Sequence, residues 1–132
     1  MLTKERGVTV MRLAGICLIS KDVSRLVNFY KDVLRIEAEE ESAEFARFLM
    51  NGVKLLICSH EIMESMAENS MQNAGFGSFT LEVEVENVDA EYERLKRKQV
   101  PFVKPPTTQA WGIRSVWFRD PDGNIINFQA RV

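Results

Sequence analysis

The hydrophobic pattern of the first half of the chain predicts a strand, a helix and three further strands. The apolar run Arg12–Ser20 is compatible with a strand, and it stops just before Asp22, whose side chain can cap a helix. From there apolar residues recur every three or four positions, the spacing of one helical face, so we predict a helix over residues 22–35. Short strands are predicted at residues 36–41, 43–50 and 53–59, the last two joined by the turn-favouring Asn51-Gly52 dipeptide.

The second half of the chain repeats this order, with Asn87 in the place of the capping Asp22. Phe79–Glu86 alternates between apolar and polar residues, which is typical of a half-buried strand. A helix is predicted from Asn87 to about Lys98, because apolar residues again recur at helical spacing. Strands are predicted at residues 100–104, 113–119 and 124–132, with a turn at residues 120–123.

The internal repeat predicts one α+β domain made of two βαβββ modules, whose curved mixed sheets enclose a shared cleft. A chain of 132 residues with 45% hydrophobic residues suits a single core. We place the first module at residues 12–60, a connector at 61–75 and the second module at 76–132. Residues 1–11 are treated as an N-terminal extension without an assigned function.

Composition excludes several classes of partner. The net charge is −2, and Lys and Arg form no dense patch, so we expect no nucleic-acid binding. No apolar run reaches the roughly 20 residues of a membrane span, and no signal peptide is recognisable, so we expect no membrane association. Cys17 and Cys58 lie far apart without CxxC spacing, which fits a reduced, cytoplasmic protein.

Several motifs, taken in order, resemble the vicinal oxygen chelate superfamily of glyoxalases, bleomycin-resistance proteins and extradiol dioxygenases. The run Ile19–Leu34, with its Asp-capped helix and Phe-Tyr-x-x-x-Leu ending, resembles the opening signature of that superfamily. Val85–Leu95, the Trp111-Gly112 dipeptide and Phe118–Asn124 are similar to the helix and closing hairpin of its second module. The resemblance covers about residues 12–132 and implies a glyoxalase-like fold. Arg35 departs from it, since the family usually ends its first helix with Gly.

The resemblance also implies four metal-ligand positions, which this chain fills poorly. Metal-dependent members use His, Gln or Glu on the first strand, Glu on the fourth, His or a Gln-type ligand on the fifth, and Glu on the eighth. A divalent cation that activates substrate oxygens favours anionic oxygen or imidazole ligands. We therefore predict no bound metal and no cofactor. The matching positions here are Gly15, Leu56 or Cys58, Thr80 and Asn127.

Candidates for a ligand pocket come from the strands and loops that flank the expected cleft, and none is assigned a catalytic role. The thiols either face the cleft or act as small buried hydrophobes, and Glu82 either accepts a ligand hydrogen bond or lies on a wet face. The tryptophans either stack on a ligand or pack internally. The single histidine, His60, is either a solvated connector residue or the one imidazole available for chemistry. The pocket candidates are Cys17, Cys58, Thr80, Glu82, Trp111, Ser115, Trp117 and Asn127.

These patterns predict a metal-free small-molecule binding protein, similar to the bleomycin-resistance and antibiotic-sequestering members. The alternative is a metal-dependent lyase, isomerase or dioxygenase with a non-standard site built from residues such as Cys58, His60 and Glu82. A third possibility is an accessory module whose partner is another protein. Since members of the family often pair, with each cleft completed by the other subunit, we also expect a homodimer.

Overall fold

A computed structural model describes residues 4–5, 8–9, 11, 13–75 and 78–132. Ahead of the first module, two short strands, β1 (Lys4–Glu5) and β2 (Val8–Thr9), pair antiparallel within the predicted N-terminal extension. The first module then has the predicted order of one strand, one helix and three strands. Its elements are β3 (Gly15–Ser20), α1 (Val23–Leu34), β4 (Glu40–Glu41), β5 (Phe45–Met50) and β6 (Val53–Ser59).

The second module has the same order and follows a short additional helix. A weak periodicity predicted only a connector after the first module, but the structure contains α2 (His60–Met66) there, capped by the Ser59 side chain, which accepts a hydrogen bond from the Ile62 amide at 3.0 Å. The remaining elements are β7 (Thr80–Glu84), α3 (Val88–Arg97), β8 (Phe102–Thr108), β9 (Ile113–Arg119) and β10 (Ile125–Arg131).

Each module forms a four-stranded mixed sheet of identical topology. The strand orders are β3-β6-β5-β4 and β7-β10-β9-β8, so the first strand of each module pairs in parallel with the last. The register places Gly15 opposite Lys54 in one sheet and Thr80 opposite Ile125 in the other. The predicted α+β fold of two βαβββ modules is therefore confirmed.

The main helix of each module begins with a side-chain N-cap. The Asp22 carboxylate accepts a hydrogen bond from the Arg25 amide at 3.2 Å, and the Asn87 side chain accepts one from the Ala90 amide at 3.0 Å. Both caps satisfy a backbone N–H that the first helical turn cannot pair. Helix α1 ends at Arg35 in the left-handed region (φ 56°), so an ordinary side chain adopts the conformation that glycine takes at lower cost.

Three strand predictions are wrong by more than two residues at one end. Only Glu40–Glu41 of the predicted strand 36–41 forms a strand, and the Glu39 amide just before it donates to the Arg47 carbonyl of β5. Ile36 and Ala38 pack on the core without joining the sheet. The first strand begins at Gly15, although Leu13 and Ala14 were predicted to belong to it; Arg12 lies outside the described residues.

The third correction concerns β8, which continues through two prolines to Thr108, beyond the predicted end at residue 104. Proline cannot donate to a sheet ladder, but β8 is an edge strand with register shifts against β9, and an edge tolerates the missing donors. The Asn51-Gly52 turn is as predicted, with φ 50° and 84°, the positive values that a type I′ hairpin needs.

One hydrophobic core joins the modules. It includes Leu26 of α1 and Leu95 of α3, together with strand residues such as Ile57 and Phe118. A buried hydrogen bond also crosses between the halves, since the Tyr30 hydroxyl donates to the Asp120 carboxylate at 2.7 Å. The two helices therefore pack within a shared interior, and the opposite face of each sheet is left to form sites.

Candidate functional site

We call the side of each sheet opposite α1 or α3 its cleft face. Residues such as Leu18 and Ile57 point toward α1 and are buried, so the alternate residues of β3 and β6 point to the cleft face. In the second sheet Phe118, Ile126 and Phe128 belong to the core in the same way. Of the pocket candidates, those on strands all fall on the cleft faces. They are Cys17 and Cys58 in the first sheet and Thr80, Glu82, Ser115, Trp117 and Asn127 in the second.

The first family ligand position, Gly15, has no room for a side chain. A Cβ atom added to Gly15 would lie 2.9 Å from both the Cβ atom and the backbone oxygen of Lys54, its partner on β6. Contacts below 3.0 Å force an adjustment, and the adjustment is costly here because the backbone oxygen belongs to a paired strand. A histidine, glutamine or glutamate ligand at this position therefore requires the Lys54 backbone to shift.

The remaining family positions hold neutral or soft groups. Thr80 is exposed at the start of β7, and Asn127 lies on β10 opposite Glu82 and Trp117. Within the described residues, no group of three or more His, Cys, Asp or Glu side chains is placed to hold a metal ion, so Cys58, His60 and Glu82 do not form one. These residues do not fit the divalent metal of the metal-dependent members.

Asn127 nevertheless has an unusual environment for a neutral residue. It is 3% exposed, and among the described residues its Oδ1 atom has no hydrogen-bond partner. A buried acceptor without a donor destabilises a protein by about 1–3 kcal/mol, so a water or ligand that donates a hydrogen bond to this atom would be stabilising. Its neighbour Glu82 is exposed and accepts a long hydrogen bond, 3.4 Å, from the Gln129 amide nitrogen.

The two cysteines meet on the cleft face of the first sheet. The Cys17 thiol donates toward the Cys58 sulfur with a separation of 3.6 Å between the two Sγ atoms. Cys17 is exposed as a residue and Cys58 is 2% exposed. Partial burial of its thiol, followed by the contact with Cys58, raises the pKa of Cys17 to about 12. The thiol is therefore protonated at neutral pH, which makes it a slow nucleophile.

A cavity of about 600 Å³ lies where β3 ends, beside α2 and the segment that follows it. Its volume is in the range of sites for drug-sized molecules. Apolar groups, including Phe79 (40% exposed), line it together with the ammonium of Lys21, the imidazole of His60 and the carboxylate of Asp122. The full lining is Cys17, Leu18, Ile19, Lys21, His60, Met71, Asn73, Ala74, Gly75, Phe79, Asp122 and Asn124.

This cavity includes only one of the eight pocket candidates, Cys17. The imidazole of His60 lines it as well, because α2 directs the residue inward instead of leaving it in an extended connector. Sequence reasoning missed Lys21, Phe79 and the residues after α2, since no pattern indicated that this segment folds back over the end of β3. The weak helical periodicity after residue 60 was the one signal available.

The other candidates lie elsewhere. Trp111, 71% exposed, sits in the loop between β8 and β9. Ser115 is buried on β9, and Trp117 on the same strand is half-buried opposite Asn127. Register thus places Glu82, Asn127 and Trp117 in one row across the second sheet. Asn124 of the cavity lining precedes β10, so this row begins a short distance along the strand from the cavity.

Comparison with known proteins identifies the family. The model of the Glyoxalase/Bleomycin resistance protein/Dioxygenase superfamily matches residues 12–128. The chain belongs to this superfamily. The family recognised from sequence motifs is thereby confirmed, and its two-module fold accounts for the paired sheets. Over the ranges that the structure describes, no helix combines the length and apolar character of a membrane span.

Individual relatives cover most of the chain. It is 34% identical over 122 residues to the uncharacterized protein YraH of Bacillus subtilis, covering 88% of this chain and 95% of YraH. It is 25% identical over 103 residues to the metallothiol transferase FosB of Staphylococcus saprophyticus, covering 78% of this chain and 66% of FosB. A solved glyoxalase/bleomycin resistance protein/dioxygenase from Nocardioides superimposes with a TM-score of 0.77 at 25% identity, covering 95% of this chain and 87% of that one.

Proposed function

We propose that this member of the superfamily binds an organic small molecule without a divalent metal ion, in the manner of bleomycin-resistance proteins. The observation that carries the proposal is the contact between Gly15 and Lys54. A ligand side chain at position 15 would stand 2.9 Å from a backbone atom of the neighbouring strand. Together with the neutral groups of Thr80 and Asn127, this leaves a hard cation without adequate ligands.

The proposed site is the cavity at the end of β3 together with the adjoining row on the second sheet. The cavity supplies apolar walls and a few polar groups, the usual composition of a small-molecule site. Lys21 and Asp122 offer opposite charges, and Phe79 offers a face for a flat group. The unpartnered Oδ1 of Asn127 favours a ligand that carries an N–H or O–H donor.

Binding is tested by thermal unfolding of the full chain with EDTA, using metal-free bleomycin and a panel of aromatic and peptide-like antibiotics. A compound that binds the folded state raises the unfolding temperature in a concentration-dependent way. The variant Phe79→Ala should weaken binding of a hit about tenfold, since a stacked aromatic wall contributes about 0.5–1.5 kcal/mol beyond its area.

A matched control is Leu49→Ala, which removes another partly exposed apolar side chain (48% exposed) that does not line the cavity. Leu49→Ala should bind as the wild type does. Equal losses in both variants, or no hit that survives EDTA, would count against the proposal.

The enzymatic alternative is favoured by one finding, the similarity to FosB, whose name describes a metallothiol transferase. If this chain has a related activity, it should retain one Mn²⁺, Ni²⁺, Zn²⁺ or Fe²⁺ per chain after loading and desalting. Elemental analysis measures that retention directly. A tightly held ion would favour the enzyme over the binding protein.

We extend the proposal to a homodimer located in the cytoplasm. Each four-stranded sheet has two edge strands, β3 and β4 in one and β7 and β8 in the other, and each presents an open backbone edge. Ile16 on β3 and Phe79 just before β7 are both partly exposed, which suits pairing with a second copy. Light scattering coupled to size-exclusion chromatography should give twice the mass of one chain; a monomer at micromolar concentration would contradict the dimer.

A further inference from the structure

The two cysteines of the chain are neighbours on one face of the first sheet because of the parallel register of β3 and β6. Cys17 lies opposite Leu56, and Cys58 lies opposite Ile19, so the cysteines are diagonal neighbours with side chains on the same face. Their sulfur atoms lie 3.6 Å apart. The pair thus depends on the fold, since the residues are 41 positions apart in sequence.

The backbone geometry disfavours a disulfide between them. Strands about 4.8 Å apart with a rise of about 3.3 Å per residue put the Cα atoms of diagonal neighbours about 8 Å apart. Disulfides rarely span Cα separations above about 7 Å without backbone movement. The thiols can approach each other, but bonding them would distort a strand whose partner contacts already leave no space at Gly15.

The same sulfur separation suits a shared metal ion. Two sulfur ligands about 2.3 Å from a tetrahedral ion stand about 3.8 Å apart, close to the observed 3.6 Å, whereas a linear two-coordinate ion would hold them about 4.6 Å apart, so the spacing suits an ion with further ligands besides the two sulfurs. Thiolates select soft ions, among them Cu(I) and Zn(II). A structural zinc site requires four protein ligands, and the described residues place no third His, Cys, Asp or Glu with this pair. The ion that best fits this pair is therefore a soft one that needs few protein ligands.

We propose that Cys17 and Cys58 form a two-thiolate site for a soft, thiophilic ion of the Cu(I) class, loaded from the cavity that Cys17 lines. On binding, both S–H bonds break, two Cu–S bonds form, two protons pass to solvent, and copper keeps its oxidation state. Any further ligand comes from a molecule in the cavity. The site differs from the superfamily's ligand set, because Cys17 occupies none of its metal positions; Cys58 is one of the two alternatives for the fourth-strand position.

The test titrates the reduced full-length chain with Cu(I) held by bicinchoninate, a coloured Cu(I) chelator. The wild type should withdraw one Cu(I) per chain. Cys17→Ser and Cys58→Ser should each lower the affinity at least about 100-fold, since each variant removes one of two bonds to the ion. Because the chain contains two cysteines in total, no other thiol can substitute.

The matched control is His60→Ala, which removes the imidazole that lines the same cavity and leaves both thiols in place. It should bind Cu(I) within about threefold of the wild type. Three results would each overturn the two-thiolate site. They are a large loss of Cu(I) affinity in His60→Ala, binding of two ions by each wild-type chain, and retention of half the copper by each serine variant.

A measurement on the wild type avoids the question of whether the variants fold. Copper-edge X-ray absorption of the loaded protein should show two sulfur neighbours. A shell of nitrogen and oxygen alone would disprove the assignment. If the cysteine pair does not bind Cu(I), the organic-ligand proposal still stands, because binding of the organic ligand is measured with EDTA and depends on Phe79.

Discussion

The two modules have the same topology but different cleft faces. In the first module that face carries sulfur, with Gly15 pressed against Lys54 and the exposed Cys17 beside the buried Cys58. In the second it carries oxygen and nitrogen groups, with an exposed Thr80 at the position equivalent to Gly15. The elements that build the fold are thus repeated, while the face that meets a ligand differs between the halves. Function in this chain has to be inferred from the cleft faces.

The largest expected effect is a change in the free energy of unfolding when the buried hydrogen bond between Tyr30 and Asp120, which joins the modules, is removed. Asp120 accepts hydrogen bonds from the Tyr30 hydroxyl, the Asp122 and Asn124 amides, and the Asn124 side chain. Asp120→Ala should lower the free energy of unfolding by about 3–5 kcal/mol, because it leaves several buried donors unpaired. Urea denaturation measures the change. Asp122→Ala, whose carboxylate accepts no hydrogen bond in the described part of the chain, should lose less than about 1 kcal/mol.

The second prediction tests whether the first sheet has room for a side chain at position 15. Gly15→Ala should lower the free energy of unfolding by about 1–3 kcal/mol, since its Cβ atom overlaps the Lys54 backbone. Gly75→Ala is the matched control: no described atom lies within 4 Å of an added Cβ there, and its change should stay within about 0.5 kcal/mol. A neutral Gly15→Ala would show that the strands can separate and would reopen the position to a metal ligand.

The third prediction tests the equivalence of the modules. Asp22→Ala and Asn87→Ala each remove the side chain that caps the main helix, and each should cost about 1 kcal/mol of unfolding free energy. Thermal and urea unfolding of both variants provide the comparison. If one cap proved dispensable, the two helices would not start in the same way.

The smallest effect is predicted for Asn127→Leu in the free protein. Replacing an unpartnered buried amide by an apolar group of similar size should leave the stability unchanged or raise it by up to about 1 kcal/mol. Ligand binding should weaken in the same variant. A clear loss of stability would mean that the amide already has a partner in the free protein.

Sequence alone predicted the family, the two modules, both helix caps and the Asn51-Gly52 turn, because these depend on local spacing and turn chemistry. For Cys17 and Cys58 it left open whether the thiols face the cleft or are small buried hydrophobes. It did not predict α2, the cavity beside it or the Cys17–Cys58 contact. Those features depend on how the segment after β6 folds back and on the register between strands, and neither follows from the pattern of a single segment.

The crowding at Gly15 could not be predicted from the sequence. The sequence shows that a ligand side chain is missing at position 15, and the structure shows that Lys54 crowds the position. The sequence could identify glycine at a family ligand position, but the distance to Lys54 requires the pairing of β3 with β6. This difference strengthens the argument against a hard metal ion, since a ligand side chain at position 15 would also have to displace the Lys54 backbone.

The most direct test is the metal content of the Cys17→Ser/Cys58→Ser double variant after incubation with Mn²⁺, Ni²⁺, Fe²⁺ and Zn²⁺ and removal of loose ions. Both thiols are absent from this protein, so only the remaining groups near Gly15, Thr80 and Asn127 could hold an ion. We predict far less than one ion per chain for every metal. One tightly held ion per chain would contradict the account.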